Sequence, residues 1–351
     1  MNERGFKMER KQWGMTDKKE EIFLYTLKNE KGIQLTVSNL GAVLTNLFVP
    51  DKNGVLQDVV LGFDSLNGYL TNDNSYLGAT VGRNANRIEE GTFELAGKVY
   101  QLAKNEAGGN LHGGAEGYQL RVWTEKSVDE VENAVTFSLN SPDGDQGFPG
   151  NLDLAVTYQL TNDGVTIQYH GKADQTTIFN PTNHSYFNLN GHQSGSVLNH
   201  QLTLASDVYT PLKESYAVPT GELASVANTA MDFRNGKTIG LEIDKKEPQL
   251  LLGNGYDHNF MLSKEQFATV IGDQSGIVMQ ASTNLPAVQL YTANFVNEAH
   301  GKQGVHYQAR DGFCLETQFV PNAMNLPTFQ QPVLEAGQAA TYWTSYDFTV
   351  N

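Results

Sequence analysis

The chain has 351 residues, 39 % hydrophobic and 18 % charged, enough apolar material for a large core. A formal net charge of −15 and a pI near 4.9 argue against nucleic acid or an anionic membrane surface and suit a small neutral partner. With Cys314 the only cysteine, an intrachain disulfide and a Cys-based zinc site are both excluded.

In chain order, residues 1–20 are charged, lack the apolar stretch of a secretion signal and read as a flexible leader, with Met8 or Met15 as alternative starts. From residue 21 to 351, short alternating runs separated by turn residues dominate. IQLTVSNLGAVLTNLFVP (33–50) leads through the turn D-K-N-G into LQDVVLGF, and further runs follow at 91–103, 121–128, 134–140, 152–161 and 164–173. QLTLASDVYTPL, SGIVMQASTN, AVQLYTANF, DGFCLETQF and ATYWTSYDFTV complete the set. Spacing of roughly 8–12 residues between turn signals is the pattern of an all-β protein. The 34 glycines, 17 phenylalanines and 15 tyrosines favour sheet over helix as well. Short helical turns are expected only near 65–70 and 263–268. No linker, repeat or membrane-length apolar run interrupts the chain, so one domain built on two large packed sheets is expected.

Five stretches carry candidate chemistry. In N-P-T-N-H-S-Y-F-N-L (180–189) a two-residue period puts Asn180, Thr182, His184, Tyr186 and Asn188 on one polar face. Phe179, Pro181, Phe187 and Leu189 take mostly the other, and three asparagines are an odd choice for a strand. G-R-N-A-N-R (82–87) is either a surface loop tied by arginine–carboxylate pairs or a site in which Arg87, beside Asn86, presents a planar donor fork to a ligand. In N-L-H-G-G (110–114) flanking glycines let backbone come close to a ligand near His112, although a solvated histidine is the plainer reading. G-Y-D-H-N-F (255–260) offers Asp257 as a turn cap or a ligand group, with His258 turned away. G-F-C-L-E-T-Q-F (312–319) places Glu316 within an apolar strand, costly unless paired or used, where burial makes it a better base near neutral pH. AVQLYTANF adds Gln289 and Tyr291 on one strand face. No metal motif, phosphate-binding glycine loop or nucleophile elbow is present. What remains suits proton transfer on a neutral polyhydroxylated ligand.

Taken in order, DVVLGFDSLNGYL, GATVGRNANRIEEGTFELAGKVYQL, NLHGG, GFPGNL, NPTNHSYFNL, MDFR, GYDHNF, VQLYTANF and LETQFVPNAMN resemble the aldose 1-epimerases of the galactose mutarotase-like superfamily, from about residue 22 to 351. The resemblance implies a large antiparallel β-sandwich and interconversion of the α and β anomers of free aldoses such as galactose and glucose. It implies Glu316 as base, His184 as acid and His112 near the ring oxygen. Asn86, Arg87, Asp257 and Gln289 would hold hydroxyls and Tyr186 would line the cleft, with no cofactor and no metal. A carboxylate near His184 is expected to keep it protonated. A cytoplasmic monomer or homodimer, with no nucleic-acid or membrane partner, completes the expectation. A glycoside hydrolase or lyase would instead need two carboxylates about the scissile bond, which only Glu316 and Asp257 could supply. A sugar-binding module would need no buried Glu–His pair.

Overall fold

Alternating side chains pack well only when one face of a strand is covered, and three antiparallel sheets achieve this in the computed structural model, which describes residues 8–71, 75–214 and 217–351. A nine-stranded sheet runs in the spatial order Thr124–Asp129, Ala134–Ser141, Leu152–Leu160, Gly164–Ala173, Ala339–Val350, Ile277–Thr283, Gln266–Ile271, Gln201–Leu204 and Lys237–Thr238. The C-terminal strand lies at its centre, paired with Gly164–Ala173 on one side and Ile277–Thr283 on the other. One five-stranded sheet takes the N-terminal strands in chain order, from Glu9–Met15 to Leu56–Asp58. A second comprises Ala224–Ser225, Val208–Thr210, Asp257–Met261, Ala287–Tyr291 and Cys314–Gln318.

The inner faces share one apolar core. Phe137, Val156, Ile167 and Tyr169 come from the nine-stranded sheet, Tyr25, Leu35 and Leu47 from the first small sheet, and Phe260, Leu290 and Leu315 from the second. The large sheet thus covers both small ones, which is the expected sandwich. Among the described residues no helix is long and apolar enough to cross a membrane.

Three expectations need correction. Residues Glu9–Met15, assigned to a flexible leader, form an edge strand paired with Glu21–Lys28, while residues 1–7 of that leader lie outside the described residues. Backbone pairing holds this strand, and its mostly exposed side chains leave no apolar alternation to read. The turn of helix expected at 263–268 is instead the start of the strand Gln266–Ile271, whose Phe267 and Val270 are buried. Pairing on both sides overrides the helical preference of Lys264, Glu265 and Gln266. The two α-helices among the described residues are Leu66–Thr71, as expected, and Pro248–Gly253, which was not. The latter starts on a proline with no N–H to orphan and stops at the left-handed Asn254.

The third correction concerns 180–189, where only Thr182 and Asn183 pair as a strand, with Thr80–Val81. Its asparagines are brackets for neighbouring loops. Asn180 accepts from the Phe319 N–H, Asn183 donates to the Gly78 carbonyl, and Asn188 donates to the carbonyls of Gly195 and Asp311. Each satisfies backbone that strand pairing would otherwise have to serve, which is why residues of poor strand propensity sit here.

Candidate active site

His184 is fixed first by its own backbone, donating from N–H to the Ala79 carbonyl and accepting from the Gly78 N–H. Its ring stacks on Tyr186, with centroids 4.9 Å apart, and meets Tyr76 at 5.8 Å and His112 at 5.2 Å. Nε2 lies 3.5 Å from Glu316 Oε2, and Nδ1 lies 3.7 Å from Cys314 Sγ. Both histidine and glutamate are buried, and Glu316 Oε2 has no hydrogen-bond partner among the described residues.

The second small sheet supplies the carboxylates. Along Cys314–Gln318, Leu315 joins the core while Cys314 and Glu316 face the other way, as the two-residue period predicts. Gln289 stands opposite Glu316 in register and donates to Asp257 Oδ1 at 2.7 Å. Asp257 lines the cavity and Gln289 does not, so the expected contact of Gln289 with substrate becomes support for Asp257. His258 is turned away, as expected, with Nδ1 accepting the Asp257 N–H.

His112 is buried rather than solvated, and its positive φ of 52° turns the ring inward. Gly113 is required by packing against protein, not ligand: a Cβ there would lie 1.9 Å from the Gly82 carbonyl oxygen. Asn86 holds His112 through backbone, its N–H donating to Nδ1 at 3.1 Å, while its side chain accepts from the Arg87 N–H. Because Nδ1 accepts, the proton of neutral His112 sits on Nε2.

Arg87 does not present its whole fork to the cavity. Nε and Nη2 both donate to Glu106 at 2.8 Å, leaving Nη1 outside that pair. Arg83 is entirely structural in its contacts. Its guanidinium donates to Ser141, Pro142, Pro149, Gly150 and Thr177, clamping the GFPGNL loop beneath the site. Arg83→Lys is therefore expected to lower the melting temperature while leaving KM unchanged. Arg87→Lys is expected to raise KM at least about tenfold, since an ammonium cannot keep the bidentate pair and reach the cavity together. Thermal melts and initial rates check this, and a KM controlled by Arg83 alone would reverse the assignment.

Asn86, Arg87, His112, His184, Tyr186, Asp257 and Glu316 line a cavity of about 200 Å³, below the roughly 300–1,000 Å³ usual for drug-sized ligands. Its other walls are Tyr76, Glu106, Leu111, Tyr291 and the exposed Phe295. Sequence reasoning missed Tyr76, Glu106 and Phe295. Glu106 could have been suspected as a partner for Arg87, but no local pattern marks the other two. A larger depression of about 350 Å³, lined by Lys31, Ile33, Val49, Pro50 and Phe348, carries neither a histidine nor a carboxylate.

Burial governs the electrostatics. It pushes Glu316 up to about 8, with the Asp257 charge adding and Arg87 opposing. It pushes His184 down to about 4, and His112 well below its ordinary range with help from His184 and Arg87. The expected protonated His184 is thus corrected: desolvation outweighs the backbone hydrogen bond that favours the cation, and the buried pair prefers to be neutral. Ligating atoms of His112, His184 and Glu316 all lie within 4.8 Å of one another, a set that could hold a metal by count. The hydrogen-bond roles oppose this. A metal on His112 Nε2 would require a proton on Nδ1, against the Asn86 N–H that already points there.

A buried imidazole–carboxyl pair lining a polar cleft is an arrangement able to move protons on a small neutral ligand. The aldose 1-epimerase family model matches residues 24–347. The chain is 43 % identical to the galactose mutarotase of Bos taurus over 91 % of this chain and 92 % of that one, and 36 % identical to the aldose 1-epimerase of Escherichia coli K12 over 93 % and 94 %. The crystal structure of an aldose epimerase homologue from C. elegans superposes with a TM-score of 0.86 at 32 % identity, covering 93 % of this chain and 98 % of that one. The chain belongs to the aldose 1-epimerase family and is an isomerase that interconverts the anomers of aldoses.

Proposed function

We propose that the enzyme equilibrates the α and β anomers of a free aldohexose, galactose or glucose, with Glu316 as base and His184 as acid. The observation that carries this is the 3.5 Å separation of His184 Nε2 from Glu316 Oε2. The anomeric hydroxyl and the ring oxygen hang on the same carbon, so the groups serving them must converge. Two carboxylates straddling a glycosidic bond would stand about 5–9.5 Å apart, with no use for the histidine.

Glu316 takes the anomeric hydroxyl proton as His184 gives one to the ring oxygen. The ring opens, the aldehyde rotates, and closure on its other face reverses both transfers. His112 stays neutral. Protonating its Nδ1 would break the bond from the Asn86 N–H, so it serves as a fixed Nε2–H donor beside the ring oxygen. His184 Nδ1 meets a weak sulfur partner and keeps its own proton, so the proton that is gained and given up is the one on Nε2, facing Glu316. Arg87, steadied by Glu106, holds sugar hydroxyls together with Asn86 and with Asp257, itself steadied by Gln289.

Polarimetry on fresh α-galactose and α-glucose tests the reading. Optical rotation should relax to the equilibrium value faster than in buffer, with no smaller product. An unchanged relaxation rate rejects it, and release of a smaller sugar from a glycoside would favour a hydrolase.

The pH dependence follows from the pair. The neutral pair and the ion pair contain the same single proton, so the working form is a tautomer of the resting one. kcat/KM should be level between its limbs. It should fall on the acid side near about 4, as the pair gains a second proton, and on the basic side near about 8, as it loses its only one. A profile flat from pH 5 to 9 would contradict this.

A further inference from the structure

Both ring nitrogens of His184 are met by one strand. Glu316 Oε2 lies 3.5 Å from Nε2, and Cys314 Sγ lies 3.7 Å from Nδ1. Cys314 and Glu316 are two residues apart and share a strand face, so the strand fixes their spacing. Cys314 is fully buried, and burial with the charges of Glu316 and Asp257 raises its thiol well above the ordinary range, so the proton stays on sulfur. A buried thiol of this kind is inert as a nucleophile. The acid–base cycle leaves it without a covalent task.

We propose that Cys314 is the positioning residue of the acid: its sulfur seats the His184 ring at Nδ1, so that one rigid strand sets the distance between acid and base. This rests on the reading of His184 and Glu316 given above. Through the cycle His184 passes between imidazolium and a neutral ring that has lost its Nε2 proton, so Nδ1 keeps its proton in both. An acceptor must therefore stand behind it. A carboxylate or carbonyl there would stabilise the cation and weaken the acid. Sulfur accepts poorly, so it orients the ring while leaving the imidazolium eager to give up its Nε2 proton. The remaining groups facing the ring are Tyr76, His112, Tyr186, Tyr291 and Glu316, together with the backbone of His184 itself, whose hydrogen bond favours the cation; Cys314 is the side chain found within hydrogen-bond reach of Nδ1 among the described residues.

The test compares the full-length wild type with Cys314→Ala and Cys314→Ser by polarimetry over pH 4–9, beside circular dichroism to confirm folding. Cys314→Ala should lower kcat about tenfold with KM within about twofold, because a loosened ring is misplaced for the chemical step only. Cys314→Ser should recover most of that loss. Its oxygen, a stronger acceptor, should move the acid limb of kcat/KM to higher pH, a shift that a merely structural role would not cause. If Cys314→Ala does not fold, the direction of the limb in Cys314→Ser decides alone. Folded variants with wild-type kcat and unshifted limbs, or a loss confined to KM or melting temperature, overturn the proposal. Absence of anomer equilibration in the wild type would instead overturn the functional reading beneath it.

Discussion

Glu316→Gln is expected to lower kcat at least about 10²-fold, the contribution of a positioned general base, and at the same time to raise the melting temperature above pH 8. The two effects share one cause. The folded protein holds the Glu316 proton up to about 8, whereas the unfolded chain releases it near the ordinary carboxyl value of 4.5. Between these values the unfolded state binds fewer protons, so stability falls as pH rises, and above about 8 the fold carries the full cost of a buried anion. Glutamine keeps the size and removes the titration. The gap in melting temperature between variant and wild type should therefore widen from pH 5 to pH 9. A variant that relaxes galactose at near-native speed would remove Glu316 from the chemistry. A gap that does not grow with pH would show that ionising this carboxyl costs the fold little.

His184→Asn should reduce kcat by a similar factor with little change in KM, whereas His112→Asn should affect both. The difference lies in what holds each ring. His112 has Nδ1 occupied by the Asn86 N–H, and in the proposed mechanism it donates a fixed hydrogen bond that matters to bound sugar and transition state alike. In the same mechanism His184 changes protonation and matters only while the proton moves. Stability carries a second signature. Burial lowers both histidines, so below about 6.5 the unfolded chain takes up protons that the fold refuses, and stability is lost as pH falls. Either variant should be less acid-sensitive than wild type in the range of about 4 to 6.5. Equal and small kinetic effects for the two substitutions would mean that the acid has been misassigned.

Much of the lining of the candidate site was legible before any fold was known. Glu316 stood out because a carboxylate amid Phe313, Leu315 and Phe319 conflicts with its neighbours, and conflict of that kind marks use. His184 and His112 stood out through their settings among amides and glycines, although the reasons first attached to those settings were wrong. The asparagines around His184 bracket loops, and Gly113 makes room for the Gly82 carbonyl. Tyr76 and Phe295 left no trace in local pattern, because a cavity wall is chosen by which loops meet.

The sequence by itself determined the all-β architecture, since alternation of apolar and polar residues is a local property that strands must obey wherever they pair. It also determined the chemical types available: imidazoles, carboxylates, an arginine and amides, with a single thiol and no metal or nucleotide motif. Only the tertiary structure decided how those groups behave. It committed the Arg87 fork to Glu106, moved Gln289 behind Asp257, fixed the proton of neutral His112 on Nε2, and made the His184–Glu316 pair neutral where a charged one was expected. Hydrogen-bond partnership and loss of solvent arise from residues far apart in the chain. They acquire values only when distant strands and loops close over the same few ångströms.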